Sequence, residues 1–269
     1  NSILMKTILV PVGSSKNAQS HLQYAVDFAK AFGAKLYVVQ IYNVYTKAGT
    51  MINVDEIIQK ESKEFLDNHV ASIDTKGVDV FTRTFKGKLI DTLEKVCNAL
   101  EVDLIILEPR TNSIKDEVYL GKTSGKIIKR TQIPALVVPE GYVYKPIVKI
   151  LVALKSAIVK KEEALNPLMS IKNQFKAVVN LLLVRTAHHQ EEDFVLNDEL
   201  KAMVTNITKA ERPTTFQAVL EHYKSNSPDL LCVVRRKRGF FSKLWEDNVI
   251  LKKDFHSNKI PVLILSGLK

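Results

Sequence analysis

Cysteine is scarce in this chain, which has only Cys97 and Cys232 among its 269 residues. Two cysteines do not form the disulfide framework of a small secreted protein, and both lie in apolar segments, so we expect buried thiols. Long apolar runs are also missing, since no segment approaches the roughly 18–20 residues of a membrane span. The N-terminus lacks the apolar core of a signal peptide. We therefore expect a cytoplasmic protein without membrane contact, with Met5 as its natural first residue.

Acidic residues are outnumbered, with 29 Asp and Glu against 39 Lys and Arg, which gives a net charge of +10. Residues 1–146 have 19 basic and 16 acidic side chains (+3), whereas residues 147–269 have 20 and 13 (+7). The densest basic run, Arg235 to Arg238, predicts a solvated loop or, alternatively, an anion-binding patch. Aromatic residues do not alternate with it at the spacing of RNA- or DNA-binding motifs, so we do not expect nucleic acid as a partner.

Three apolar segments occur twice and in the same order. Residues 6–12 match 148–154, residues 103–107 match 229–233, and residues 133–138 match 260–265. This repetition indicates a tandem duplication, in which repeat 1 covers residues 5–141 and repeat 2 covers residues 147–269. The predicted linker, residues 140–146, contains Gly141 and Pro146 and has no helical period.

Short apolar runs alternate with amphipathic helical stretches in both repeats, and such runs suit parallel strands that are buried on both faces. The predicted strands of repeat 1 are residues 8–12, 36–42, 80–85, 103–107 and 135–139. In repeat 2 the predicted strands are residues 148–154, 177–184, 214–219, 229–234 and 262–265, with helices near 160–173, 195–207, 218–227 and 242–256. The order predicts an α/β protein made of two tandem five-stranded parallel-sheet domains.

The ordered segments resemble the universal stress protein family in its tandem form. The resemblance is carried by residues 8–12, 103–106, 120–124 and 133–138 of repeat 1, and by 229–231, 240–245 and 260–264 of repeat 2. It implies a Rossmann-like fold of the adenine nucleotide alpha hydrolase type, in which the last strand of one domain lies beside that of its partner. Residues 135–138 and 262–265 would be exposed apolar edges if unpaired. We therefore expect the repeats to pack as a pseudo-dimer through these last strands.

The family has a branch that binds ATP and a branch that does not. The ATP-binding branch is marked by Gly-x-x-Gly, nine residues, then Gly-Ser or Gly-Thr, and by an Asp just after the first strand. The glycines let amide groups approach the phosphates closely. In repeat 1 the motif positions are Glu108, Thr111, Gly121 and Lys122, and Gly13 stands in place of the Asp. The resemblance thus implies that Glu108 puts a carboxylate where a polyphosphate should bind, which is repulsive.

Repeat 2 departs further from the motif, whose positions are Val234, Lys237, Asp247 and Asn248. Lys155 replaces the Asp after the first strand, and a cation does not accept hydrogen bonds from a ribose. We therefore predict a universal stress protein without enzymatic activity, acting as a regulatory or binding module with degenerate nucleotide sites.

A small ligand is expected, if anywhere, beyond strands one and four of repeat 1, because ligands of doubly wound sheets bind where the strand order reverses. The alternative function is a weak ATPase, or another adenine-nucleotide-binding protein, with an altered anion site at a helix N-terminus. No cofactor is certain; ATP or another adenine nucleotide in repeat 1 is the candidate. The candidate binding residues are Gly13, Ser14, Ser15, Ile41, Gly121, Lys122, Thr123 and Ser124. No catalytic or metal-binding residue is predicted, and beyond the pairing of the repeats we expect a further homodimer or an unknown protein partner.

Three other motifs have alternative interpretations. Gly121 to Thr123 resembles the tail of a P-loop, but the glycine required five residues earlier is Asp116. His188 and His189 precede three acidic residues, yet adjacent histidines diverge on a helix, so a solvated loop is predicted rather than a metal site. The aromatic residues Phe240, Phe241 and Trp245 are predicted to fill the core or, alternatively, the space of an absent nucleotide.

Overall fold

The computed structural model of the chain describes residues 4–13, 18–43, 54–109, 122–159, 161, 163–187, 189–213, 215–235 and 260–266. The elements of repeat 1 are β1 Thr7–Pro11, α1 Gln19–Phe32, β2 Lys35–Tyr42, α2 Val54–Ala71, β3 Val80–Lys86, α3 Leu89–Ala99, β4 Leu104–Leu107, α4 Lys122–Arg130 and β5 Ala135–Val137. Those of repeat 2 are β6 Lys149–Leu154, α5 Asn166–Phe175, β7 Val178–Arg185, a 3-10 helix Glu191–Phe194, α6 Asp198–Met203, β8 Asn206–Glu211, α7 Thr215–Asn226, β9 Leu230–Val234 and β10 Val262–Leu265.

All strands of the described residues join one sheet, in the order β3-β2-β1-β4-β5-β10-β9-β6-β7-β8. Neighbouring strands are parallel within each repeat, as helical crossovers require. Read from its outer edge inward, each repeat has the same order: third strand, second, first, fourth, fifth. The prediction of two tandem five-stranded parallel domains is confirmed.

The last strands of the two repeats, β5 and β10, meet at the centre of the sheet and are antiparallel. Leu136 pairs with Leu263 at the middle of this seam, and the residues on either side pair in the same register. These residues are all buried. The predicted packing of the repeats through their last strands is confirmed, and it removes two apolar edges from solvent.

Helices cover both faces of the sheet. Successive side chains of a strand point to opposite faces, so Ile8 and Val10 join one hydrophobic cluster and Leu9 joins the other. Helices α1, α2, α5 and α6 pack on the first cluster, and α3, α4 and α7 pack on the second. Each cluster contains buried residues of both repeats, so the core continues across the seam.

Helices α1 and α5, one from each repeat, contact each other at their last residues. The rings of Phe32 and Phe175 meet edge to face, with centroids 5.6 Å apart and planes at 88°. Tyr142 and Tyr144 of the linker each make an edge contact with Tyr24 of α1. Burial, with a smaller contribution from these two tyrosines, raises the pKa of Tyr24 well above its ordinary value. The linker tyrosines therefore pack against α1.

Repeat 2 differs from the prediction between residues 195 and 219. The helix predicted near 195–207 is only α6, Asp198–Met203, and the strand predicted over 214–219 is wrong because α7 begins at Thr215. The third strand is instead β8, Asn206–Glu211, which forms an edge of the sheet and is almost entirely exposed. A polar edge strand has no apolar alternation for a sequence pattern to detect.

Both cysteines are free and buried, as predicted. Burial, and to a lesser extent the nearby Glu94 carboxylate, raises the pKa of the Cys97 thiol to about 12. Burial also raises the pKa of Cys232. Within the described ranges, no helix combines the length and the apolar character needed to cross a membrane.

Candidate functional site

The strand order reverses between β1 and β4 in repeat 1, and between β6 and β9 in repeat 2. Both pairs are parallel neighbours in the sheet. A doubly wound sheet binds ligands in the crevice beyond the carboxyl ends of such a pair. We refer to these places as the crevice of repeat 1 and the crevice of repeat 2.

The predicted binding residues of repeat 1 lie on several elements around its crevice. Gly13, just beyond β1, is exposed, and apart from its chain neighbours no atom of the described residues lies within 4 Å of the position that a Cβ would take. Ile41 lies near the end of β2 and is half-buried. Helix α4 begins at Lys122, and its first turn contains the exposed Thr123 and the buried Ser124. Outside the described residues lie Ser14, Ser15, Thr111 and Gly121.

A buried carboxylate and a histidine lie together at the end of β4. The side chain of Glu108, directly after β4, is 4% exposed, and its Oε2 lies 3.9 Å from Nδ1 of His21, which is 5% exposed and belongs to the first turn of α1. The hydroxyl of Ser124 donates to the main-chain oxygen of Glu108 over 3.3 Å. The carboxylate expected to oppose a polyphosphate thus lies against His21 at the end of β4. Sequence reasoning did not single out His21, because its partner is distant in the chain.

The chain itself occupies the space beyond β6 in repeat 2. The amide of Ala157, three residues after β6, donates to the main-chain oxygen of Asp193 over 2.6 Å. Asp193 belongs to the 3-10 helix that follows β7. Ser156 and Ala157 are buried, whereas Lys155 is exposed. The loops after β6 and β7 are therefore bonded to each other across the end of the strand.

His189 lies in the same segment, a largely exposed loop as predicted, but its own side chain is an exception. Its side chain is 6% exposed, and its ring packs on Phe194 with centroids 4.1 Å apart. Nδ1 lies 4.0 Å from Oδ2 of Asp193, and neither ring nitrogen has a hydrogen-bond partner among the described residues. The described part of the chain contains no group of three or more histidine, cysteine or acidic side chains that could hold a metal ion. His188 lies outside the described residues.

Arg235, the first residue of the basic run, has a partly buried side chain that bonds to repeat 1. Its Nη1 donates to the main-chain oxygens of Ile128 and Thr131, at the C-terminal end of α4 in repeat 1. Burial lowers the pKa of this guanidinium. The rest of the run, residues 236–238, and the aromatic residues Phe240, Phe241 and Trp245 lie outside the described residues.

The aspartate that precedes β4 and β9 has the same structural role in both repeats. Oδ2 of Asp103 accepts hydrogen bonds from the amides of Lys6 and Thr7, at 2.7 and 2.9 Å. Oδ2 of Asp229 accepts from the matching two amides at the start of β6, both at 3.0 Å. The aspartates therefore fix the amino ends of the central strands, opposite to the crevices.

Asp229 has one more partner than Asp103 among the contacts described. Nζ of Lys145, in the linker, lies 3.0 Å from Oδ1 of Asp229. Burial alone would raise the pKa of Asp229, but the hydrogen bonds from Lys145 and from the amides of Lys149 and Val148 outweigh it. The net result is a pKa below the ordinary value of an aspartate, so the carboxylate favours its charged form.

Comparison with known proteins identifies the family. The model of the universal stress protein family matches residues 5–139. A universal stress protein of Methanocaldococcus jannaschii is 23% identical over 140 residues, which are 50% of this chain and 82% of the relative. The chain belongs to the universal stress protein family.

Solved structures with the same two-domain extent support the fold. A universal stress protein of Archaeoglobus fulgidus aligns over 98% of this chain and 97% of its own, with a TM-score of 0.63 and 17% identity. A functionally unknown protein of Pseudomonas aeruginosa aligns over 98% and 93%, with a TM-score of 0.57 and 15% identity. At these identities the likeness is one of fold.

Proposed function

We propose that this universal stress protein is a non-enzymatic regulatory or binding module in which neither repeat has a working ATP site. Its two units are repeat 1, residues 5–141, and repeat 2, residues 147–269. The observation that carries the proposal is the Glu108–His21 pair, buried at the end of β4. A carboxylate there opposes a polyphosphate by charge, and its side chain takes up space that a glycine would leave open.

Repeat 2 supports the same proposal by different means. The bond from the Ala157 amide to Asp193 places the chain's own backbone beyond β6. Lys155 and Val234 stand where the ATP-binding branch has an aspartate and a glycine. With both crevices altered, we propose that the protein acts through a protein partner, either another chain or a second copy of itself.

The second candidate is an adenine-nucleotide-binding protein that uses the crevice of repeat 1. It is favoured by the absence of described atoms around the Cβ position of Gly13 and by the exposed Thr123 in the first turn of α4. The N-terminus of a helix favours anions, because its free amides and its dipole both point at them.

Calorimetric titration of the purified chain with ATP, ADP and AMP, with and without Mg²⁺, separates the two candidates. We expect no binding heat up to millimolar nucleotide. Micromolar binding to one site would support the second candidate, and Gly121→Val should then abolish it.

The non-enzymatic assignment is tested on the same sample. Release of inorganic phosphate from ATP is measured with and without the protein, and we expect the two rates to be equal. A protein-dependent rate that the Gly121→Val variant lacks would contradict the assignment.

A further inference from the structure

Arg235 is a residue of repeat 2 whose side chain ends in repeat 1. It directly follows β9, and its amide donates to the main-chain oxygen of Leu265 over 2.8 Å. Its guanidinium crosses to the last turn of α4 and donates to the oxygens of Ile128 and Thr131. The last carbonyls of a helix have no partner within the helix, and a cation near them also interacts favourably with the helix dipole.

A second contact reaches the same part of repeat 1. The hydroxyl of Ser266, just after β10, donates to the main-chain oxygen of Ile133 over 3.3 Å. Residues 128–133, which lead from α4 into β5, are therefore held by donors that follow β9 and β10 of repeat 2.

These two donors have no counterpart at the matching positions of repeat 1. The repeat alignment pairs Arg235 with Pro109 and Ser266 with Pro139. A proline side chain has no hydrogen-bond donor, and its nitrogen carries no hydrogen. At these two pairs of matching positions, therefore, a side-chain donor reaches from repeat 2 to repeat 1 and none reaches back.

Helix α4 depends on such tertiary contacts. It has nine residues, Lys122–Arg130, and Gly125 in its interior lowers its intrinsic stability. Isolated helices of this length are marginal in water. Its last turn already contains two cations, Lys129 and Arg130. Arg235 adds a third positive charge there, and direct hydrogen bonds to carbonyl oxygens offset the repulsion between the cations.

The opposite end of α4 borders the crevice of repeat 1. Ser124, in its first turn, donates to the main chain at Glu108, which in turn lies against His21. One short helix thus connects the Arg235 contact to the buried pair at the end of β4.

We propose that Arg235 is a positioning residue through which repeat 2 holds α4 of repeat 1, and with it one wall of the crevice of repeat 1. The order of that wall then depends on the tandem arrangement, whether or not the crevice takes a nucleotide. Any change that withdraws Arg235 from its two carbonyls loosens α4 while the β5–β10 seam persists.

Hydrogen–deuterium exchange of the full chain tests this directly. We expect Arg235→Gln to speed exchange of the α4 amides roughly ten- to hundredfold, because two charge-assisted hydrogen bonds are lost. Exchange in α3, which packs on the same face of the same repeat, should not change. Arg235→Lys should give an intermediate rate in α4, since it keeps the charge but not the fork of donors.

Arg212→Gln is the matched control, because Arg212 is exposed and its guanidinium bonds to neighbours within repeat 2, Glu221 at 2.7 Å and the main-chain oxygen of Glu211 at 2.6 Å. It should leave the exchange of α4 at the wild-type rate. Unchanged exchange of α4 in Arg235→Gln would overturn the proposal, as would equal acceleration of α3 and α4. If Arg235→Gln does not fold, the exchange rates of α4 and α3 are compared in Arg235→Lys instead.

Discussion

At the amino ends of their central strands the two repeats use the same device, a carboxylate that accepts two amides: Asp103 in repeat 1 and Asp229 in repeat 2. Their first helices also end alike, with Phe32 and Phe175 in contact and a left-handed residue after each. At the carboxyl ends of the same strands the repeats differ. Repeat 1 has a buried Glu108–His21 pair there, and repeat 2 has a loop bonded over β6.

The comparison separates features that hold the fold from features that decide binding. The aspartates and the apolar strands recur, and each repeat gives its last strand to the seam, because a five-stranded domain needs its central strands fixed and its last strand covered. The crevices do not contribute to the sheet, so their residues are free to change. The carboxyl ends of the strands, where the two repeats differ, are therefore the places to vary in binding experiments.

Removing the shared aspartates should have the largest effect. We expect Asp229→Ala to lower the free energy of unfolding by about 3 kcal/mol and Asp103→Ala by about 2 kcal/mol, because each leaves two amides without their charged acceptor. The loss of stability is larger for Asp229→Ala because Lys145 also loses its partner. Urea denaturation measures both, with Glu64→Ala on the surface of α2 as the control. Losses no larger than that of the control would show that the carboxylates do not fix the strands.

Acid should weaken the Asp229 contact in the same way. The pKa of the Asp229 carboxyl is lowered in the folded protein from an unfolded value of about 3.9. Its contribution to the free energy of unfolding is therefore complete above about pH 3.9 and is lost as the pH falls through the folded pKa. The stability difference between the wild type and Asp229→Asn should therefore shrink below about pH 4. Urea midpoints measured from neutral to acidic pH check this, and a difference that stays constant throughout would contradict it.

Exchanging the residue types after the first helices tests whether the two helix ends are equivalent. Gly33 and Lys176 both adopt the left-handed conformation, with φ of 63° and 51°. A side chain is strained there, so Lys176→Gly should raise the free energy of unfolding by about 0.5–1 kcal/mol and Gly33→Lys should lower it by about 1 kcal/mol. Thermal unfolding of the two variants shows whether each substitution raises or lowers the stability. Destabilisation by Lys176→Gly would contradict the expectation.

The loop that follows β7 in repeat 2 should tolerate an apolar residue in place of the buried side chain of His189. Both ring nitrogens of His189 lack a hydrogen-bond partner among the described residues. His189→Phe keeps the ring contact with Phe194 and removes buried polar atoms, so we expect an unchanged stability or a gain of up to about 1 kcal/mol. Urea denaturation measures it, and His222→Phe on α7 serves as a comparison. A loss of stability larger than in the comparison variant would show that the imidazole makes a favourable polar contact.

The sequence was most informative where apolar pattern and structure coincide. Residues 8–12 and 150–154 are buried on both faces of the sheet, so their continuous apolar runs predicted central strands correctly. The pattern failed at β8, Asn206–Glu211, because an exposed edge strand needs no apolar residues. The helix predicted near 195–207 was too long for the same reason, since its polar C-terminal part is the start of that strand.

The contacts at the candidate site could be predicted only in part. The position of Glu108 followed from the spacing of the motif, but its pairing with His21 depends on how α1 lies over the end of β4. Likewise, Arg235 was recognisable as part of a basic run, yet its carbonyl partners belong to the other repeat. Contacts between residues far apart in the chain leave no local pattern, so only the folded structure reveals them.

The most direct test of degenerate binding is a side-by-side calorimetric titration of the wild type and Glu108→Gly with ADP. If the buried carboxylate excludes the anion, the wild type gives no binding heat at millimolar ADP and the variant gives a saturable one. Binding of ADP by the wild type as tight as that of the variant would contradict the assignment and place repeat 1 among the nucleotide sites.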